Sequence, residues 1–193
     1  MYAIFLDIET TGLNPFQHRP IDLAYLIYDI RKERRLAKYQ QIIWQPKEVW
    51  EQGDPVSIEI NGYEYRDLEK GRKVEDISRE IVGHFKEIGI QRGKAFFLCQ
   101  NPAFDRAFFD QIVPVYTQEA LNWPYHWLDL ASMYWAFLLK EANGDHGVLP
   151  DSINLSKNAI GKQFGIEKEA EPHRAMNGVE HLFRCYQAVT ERL

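Results

Sequence analysis

Three runs dense in Ile, Leu, Tyr and Phe open the chain, Tyr2–Glu9, Ile21–Ile30 and Leu36–Trp44, each broken by turn or charged residues. Their length and composition predict three strands. Arg31–Arg35 joins the second to the third as a charged, hairpin-like connection, so these strands should form an antiparallel meander. Gln45–Arg72 is polar, holds Pro46 and Pro55, and reads as an irregular crossing. Val74, Ile77, Ile81, Val82 and Phe85 then recur at helical spacing, which predicts an amphipathic helix over Val74–Ile88.

The apolar stretch Ala95–Gln100, bounded by Lys94 and Asn101-Pro102, predicts a short buried strand. Pro102 suits the first turn of a helix carrying Phe104 to Gln111 and stopping before Pro114. Trp127–Glu141 reads as a brief strand or loop continuing into an apolar helix. Leu155–Phe164 and Arg174–Glu191 read as two more helices, divided by Gly165 and Pro172. Strands followed by alternating strands and helices predict one α/β domain over residues 1–193, with helices packed on a mixed sheet.

Composition narrows the class. The 193 residues carry 23 Lys+Arg against 28 Asp+Glu, a net charge of −5, with 45% hydrophobic residues. That is enough apolar material for a core and excludes a disordered or fibrous chain. Leu130 to Leu139, the longest mostly apolar stretch, is about half the ~20 residues of a membrane span. No membrane association is expected, the N-terminus does not read as a signal peptide, and Cys99 and Cys185 form no disulfide framework; the expected location is the cytoplasm. The mild acidity argues against unaided capture of nucleic acid, unless bound divalent cations invert the local field.

Three places carry candidate chemistry. In Leu6-Asp7-Ile8-Glu9-Thr10-Thr11-Gly12-Leu13 an apolar strand ends in carboxylates at i and i+2, which share a face. So close a pair needs a cation between them or a raised pKa, and an unpaired charge inside an apolar run is costly. Asp105, in Asn101-Pro102-Ala103-Phe104-Asp105, falls near the start of a core-packed helix, where the helix dipole alone would account for it. His173, just before the last helix, reads equally as a cap-region residue and as a general base.

In combination these segments resemble the DEDDh 3′–5′ exonucleases, the superfamily of the proofreading epsilon subunit of DNA polymerase III, ribonuclease T and oligoribonuclease. Asp7-Ile8-Glu9-Thr10-Thr11-Gly12-Leu13 matches the first motif, Asn101-Pro102-Ala103-Phe104-Asp105 the second, and Ile60-Asn61-Gly62 the short loop before the first long helix. Leu155 to Gly165 with His173-Arg174-Ala175 resembles the C-terminal part. The resemblance implies a ribonuclease H-like fold and hydrolysis of phosphodiester bonds at single-stranded DNA or RNA 3′ ends. It implies two Mg²⁺ or Mn²⁺ ions held by Asp7, Glu9 and Asp105, with His173 deprotonating the attacking water. Thr10, Thr11, Gly12, Leu13, Asn101 and Phe104 would contact substrate, Leu13 as an apolar wedge against the last base. A polymerase or a second copy of the chain would be the protein partner.

One position departs from the pattern. The family's third motif has an Asp five residues after its histidine, completing one metal site, and here that residue is Gly178. Water could fill the place, Asn177 or Glu180 could reach in from the same helix, or the protein could bind nucleic acid without cutting it. If the acid is missing without a protein replacement, Gly178→Asp should tighten metal binding; if Asn177 or Glu180 supplies the oxygen, it should be neutral or harmful. The basic clusters Arg31–Arg35 with Lys38 and Lys70–Lys73 read first as solvated surface. Trp123-Pro124-Tyr125-His126-Trp127 reads as a base-stacking surface or as core.

Overall fold

The computed structural model describes residues 1–143, 149 and 151–191. Five strands lie in the order β3-β2-β1-β4-β5. The meander is as the pattern predicts: β1 (Tyr2–Thr10), β2 (Pro20–Asp29) and β3 (Arg34–Ile42) pair antiparallel. Strand β4 (Ala95–Cys99) pairs parallel with β1 on its other side, and β5 (Trp127–Asp129) parallel with β4. This is the mixed sheet of a ribonuclease H-like fold, with β1 at its centre.

Strand alternation sorts β1 into two cores. Ile4, Leu6 and Ile8 join Leu23, Tyr25 and Ile27 of β2 under α4 (Val74–Ile88) and α5 (Pro102–Ile112). Ala3 and Phe5 join Ala24 and Leu26 under α7 (Leu130–Ala142), α8 (Lys157–Gln163) and α9 (Ala175–Thr190). Asp7 and Glu9 continue the Ala3–Phe5 parity, so both acids face the α9 layer at the end of the central strand.

The segment Gln45–Arg72 is not irregular. It holds three short helices, α1 (Lys47–Glu51), α2 (Pro55–Asn61) and α3 (Tyr65–Leu68). None is long enough to show a helical period, and local capping sets them instead. Asp54 caps α2 by accepting from Ser57 N at 2.9 Å, with Pro55 in the first turn, and Glu64 and Asp67 form a capping box on α3. A further short helix that the pattern does not show, α6 (Val115–Ala120), follows Pro114. The predicted helix over Leu155–Phe164 is shorter by two residues at its start, because Ser156 caps it through Ala159 N at 3.2 Å.

Both tryptophans of the aromatic segment go to the core. Trp123 is 3% exposed, and Trp127 stacks on Phe97 with ring centroids 4.1 Å apart. Within the basic clusters, Arg35 and Lys38 hold Glu180, and Arg72 holds Glu80, at the surface. Among the described residues no helix is long and apolar enough to cross a membrane.

Candidate active site

Asp7, Glu9, Asp105 and His173 line one cleft of about 280 Å³. They come to it from β1, from the first turn of α5 and from the loop before α9. Asp105 is fixed by the backbone of β1, since its Oδ1 accepts from Ile8 N at 3.1 Å. His173 is fixed through α2: its N–H donates to Ile60 O at 3.1 Å, while Arg174 donates to Asn61 O and lies over the Tyr63 ring at 3.7 Å. Asn61 in turn donates from Nδ2 to Thr10 O at 3.1 Å, so the end of β1 and the His173 loop share one anchor. Gly62, with φ 58°, takes the left-handed conformation that ends α2 there and packs on Pro172.

A further buried acid orders the start of α9. Asp22 accepts from Tyr63 Oη at 2.8 Å, Gln40 Nε2 at 2.9 Å and Ala175 N at 3.0 Å. Burial pushes its pKa up against those three hydrogen bonds. Nothing in its own segment distinguishes it from an ordinary strand residue.

The first-motif residues divide into two groups. Thr10 Oγ1 donates to Gly12 O at 2.7 Å and accepts from Gly12 N, and Thr11 Oγ1 accepts from Arg19 N at 3.0 Å. These groups shape the turn internally. Leu13 projects from it with 73% of its surface exposed, so it is not core. Phe104 faces the cleft, and Asn101, held left-handed at φ 57°, donates its N–H to Asp129 Oδ1 at 3.1 Å just outside it.

Two charged cleft residues, Lys157 and Glu169, are not among the candidate site residues that the sequence singles out. Lys157, the first residue of α8, is partly buried, its side chain 13% exposed; its Nζ donates to Glu169 Oε2 at 2.9 Å, Asp7 Oδ1 at 3.2 Å and Gly178 O at 3.3 Å. Glu169, its side chain 3% exposed, is held by its N–H donating to Asn158 Oδ1 at 3.0 Å. The one sequence signal for Glu169 is its place four residues before His173, which also puts its Oε1 3.9 Å from His173 Nδ1. Lys157 has no such signal beyond following the cap Ser156.

Position 178 is tightly closed. A Cβ built on Gly178 would lie 2.2 Å from Asp7 Oδ2, so the backbone of α9 packs directly on the carboxylate. This overturns the expectation that Gly178→Asp would supply a ligand, because any side chain there must first displace Asp7. Glu180 is committed to Arg35 at 3.0 Å and to Lys38, and neither it nor Asn177 lines the cleft.

The electrostatics follow from four carboxylates gathered around one ammonium. Burial raises the pKa of Asp7, opposed by Lys157 and reinforced by Glu169. Burial, then the charges of Asp7 and Glu169, push Glu9 up to about 8. Burial and the Asp7 charge raise Asp105 well above the carboxylate range. Burial opposes the charge on Lys157, but Asp7 and Glu169 outweigh it and hold the ammonium protonated. Such a site holds excess negative charge suited to a divalent cation. Glu9, Glu169 and His173 offer ligand atoms within 4.8 Å of one another, and Glu169 Oε1 is buried with no hydrogen-bond partner.

A ribonuclease H-like sheet with acids on its central strand defines a class of nucleic-acid enzymes and their relatives. The chain belongs within that class to the RNase T exonuclease family, whose model matches residues 4–183. E. coli exonuclease I in complex with a dT13 oligonucleotide superposes with a TM-score of 0.75 at 18% identity, over 99% of this chain and 41% of that one. The zinc-bound E. coli ExoI–ssDNA complex gives 0.77 at 20% identity, over 99% of this chain and 40% of that one. The nuclease domain of 3′hExo, a DEDDh family member bound to rAMP, gives 0.73 at 14% identity, over 98% of this chain and 92% of that domain. This chain therefore spans about two fifths of the length of E. coli exonuclease I. No characterised protein matches the chain by sequence comparison.

Proposed function

We propose that this protein is a divalent-metal-dependent 3′–5′ exonuclease acting on single-stranded nucleic acid. The observation that carries the reading is the meeting of Asp7, Glu9, Asp105 and His173 in one cleft, from three separate parts of a chain that belongs to an exonuclease family. Neighbouring folds solved with oligonucleotides and with rAMP support a single-stranded substrate.

The donor set fits Mg²⁺ or Mn²⁺, which when bound supplies positive charge where a scissile phosphate must sit. Asp7, Glu9 and Asp105 are the residues that would hold it. His173 is the group that takes the proton from water; it lines the cleft, held there by its backbone N–H on Ile60 O. Thr10, Thr11 and Gly12 build the turn that presents Leu13, and exposed Leu13 with Phe104 gives a terminal base apolar surfaces to lie against.

A second reading, nucleic-acid binding without cleavage, is favoured by the ammonium of Lys157 sitting on Asp7. Degradation of a single-stranded oligonucleotide labelled at its 5′ end separates the two. A 3′–5′ exonuclease shortens the labelled strand one nucleotide at a time in Mn²⁺. Immediate release of labelled mononucleotide would reverse the polarity, and a retarded but uncut strand would establish the binding reading.

A further inference from the structure

The acid missing from position 178 leaves an accounting problem at Asp7. Asp7 Oδ2 packs on the α9 backbone, and Asp7 Oδ1 faces Lys157. The Lys157 ammonium has three donors and meets three acceptors, from Asp7, Glu169 and Gly178. It is therefore a built element of the site, reached from α8 and satisfied by it. The same ammonium donates to Asp7 Oδ1 and to the Gly178 carbonyl, so it bridges β1 and α9.

Glu169 has the complementary property. One oxygen is spent on Lys157; the other, Oε1, is buried and unpartnered, and Glu169, Glu9 and His173 each offer a ligand atom within 4.8 Å of the others. The His173 nitrogen, 3.9 Å away, is too far to satisfy it by a hydrogen bond. Buried carboxylate oxygens are normally partnered, so an orphaned one in a residue grouped with two other ligand-bearing side chains suits a cation. The Asn158 side chain holds the Glu169 backbone one residue from Lys157, which keeps the acid and the ammonium in fixed relation.

We propose that Lys157 and Glu169 together replace the missing acid: Glu169 supplies the carboxylate oxygen to a single divalent ion shared with Glu9, and the Lys157 ammonium stands permanently on Asp7 in place of a second ion. The inference rests on the nuclease reading above; it reduces to one the two ions that the family resemblance implies, and it assigns Asp7 to the Lys157 ammonium rather than to that ion. A divalent ion placed against Asp7 Oδ1 would be repelled by the ammonium already bonded there. The charge that a second ion would bring is instead delivered by the chain, at the cost of a fixed monovalent charge in place of a divalent one.

Titration with Mn²⁺ alone, following free ion by electron paramagnetic resonance, counts the sites without reference to cleavage. The wild-type chain should bind one ion. Glu169→Gln, close in shape but without the charge, should weaken that ion at least tenfold. Lys157→Met should admit a second ion or tighten the first at least tenfold. Two ions of comparable affinity in the wild type would overturn the proposal, as would unchanged affinity in Glu169→Gln, while leaving the nuclease reading intact. Unchanged count and affinity in Lys157→Met would also overturn it. Should Lys157→Met not melt cooperatively, the wild-type count and Glu169→Gln decide by themselves. No saturable Mn²⁺ binding at all would overturn both the proposal and the nuclease reading.

Discussion

At Asp7 a single carboxylate is asked to meet three demands: it ends a buried strand, it touches α9 at Gly178, and it accepts from Lys157. Gly178→Ala tests the second demand. Exchanging Gly for Ala inside a helix ordinarily gains about 0.8–1.0 kcal/mol, but the new Cβ would stand 2.2 Å from Asp7 Oδ2. The expected outcome is a folded protein whose Mn²⁺ affinity and nuclease rate both fall, read by thermal melting, titration and oligonucleotide cleavage. Full activity in Gly178→Ala would mean that the Asp7 carboxylate is free to move. His173→Ala should lower kcat by about 10²–10⁴-fold, the usual loss of a general base, with KM little changed. A raised KM at unchanged kcat would make it a binding residue. Asp7 and Glu9 stand out in the sequence by their own pattern, whereas Asp105 and His173 stand out only in combination with them, since a helix dipole or a cap would account for either alone. Glu169 and Lys157 do not stand out, since Lys157 meets Asp7 across 150 positions and a lone lysine has no local signature.

Among the elements, the C-terminal end of α2 and the loop after it tie the site together. Asn61 joins Thr10 O to Tyr63 N, and Tyr63 passes the connection to Asp22 and so to the first turn of α9. Asn61→Ala removes both of its bonds and leaves a carbonyl and an amide inside the protein, which typically costs about 1–3 kcal/mol each. A thermal melt should show a drop of several degrees, accompanied by a reduced nuclease rate as His173 loosens. An unchanged melt would remove Asn61 from the framework. The long elements could be read from periodicity, since β1, β2 and α4 each run for several repeats of their pattern. The short helices α1, α2, α3 and α6 could not, because four to seven residues hold fewer than two turns. Their signals are caps and prolines, which also occur in plain turns.

For the molecule as a whole, the mixed sheet follows from the order of elements, and its strand order puts the acid-bearing strand at the centre, where burial makes the charges expensive. That expense sets a pH dependence. A carboxyl whose folded pKa is raised holds its proton more tightly in the folded state, so stability declines as pH rises from the unfolded toward the folded value. For Glu9 that window runs from 4.5 to about 8, and Asp7 and Asp105 shift in the same direction. The metal-free protein should therefore melt at progressively lower temperature across that window, and saturating Mn²⁺, which replaces the proton, should flatten the decline. A melting temperature that climbs with pH through the window, or a slope indifferent to Mn²⁺, would show that the carboxylates are not held together as described.

The central claim is that cleavage depends on the carboxylate of Asp7 and a divalent cation in this cleft. Single-turnover degradation of a single-stranded oligonucleotide by wild type and by Asp7→Asn, in Mn²⁺ and after chelation, addresses it directly. Asp7→Asn keeps the shape and can still accept from Lys157, so its fold should survive, as a cooperative melt would show. The account predicts stepwise shortening by the wild type in Mn²⁺, none after chelation, and a loss of at least a thousandfold in Asp7→Asn. Cleavage by Asp7→Asn at the wild-type rate, or cleavage that persists without metal, would contradict it.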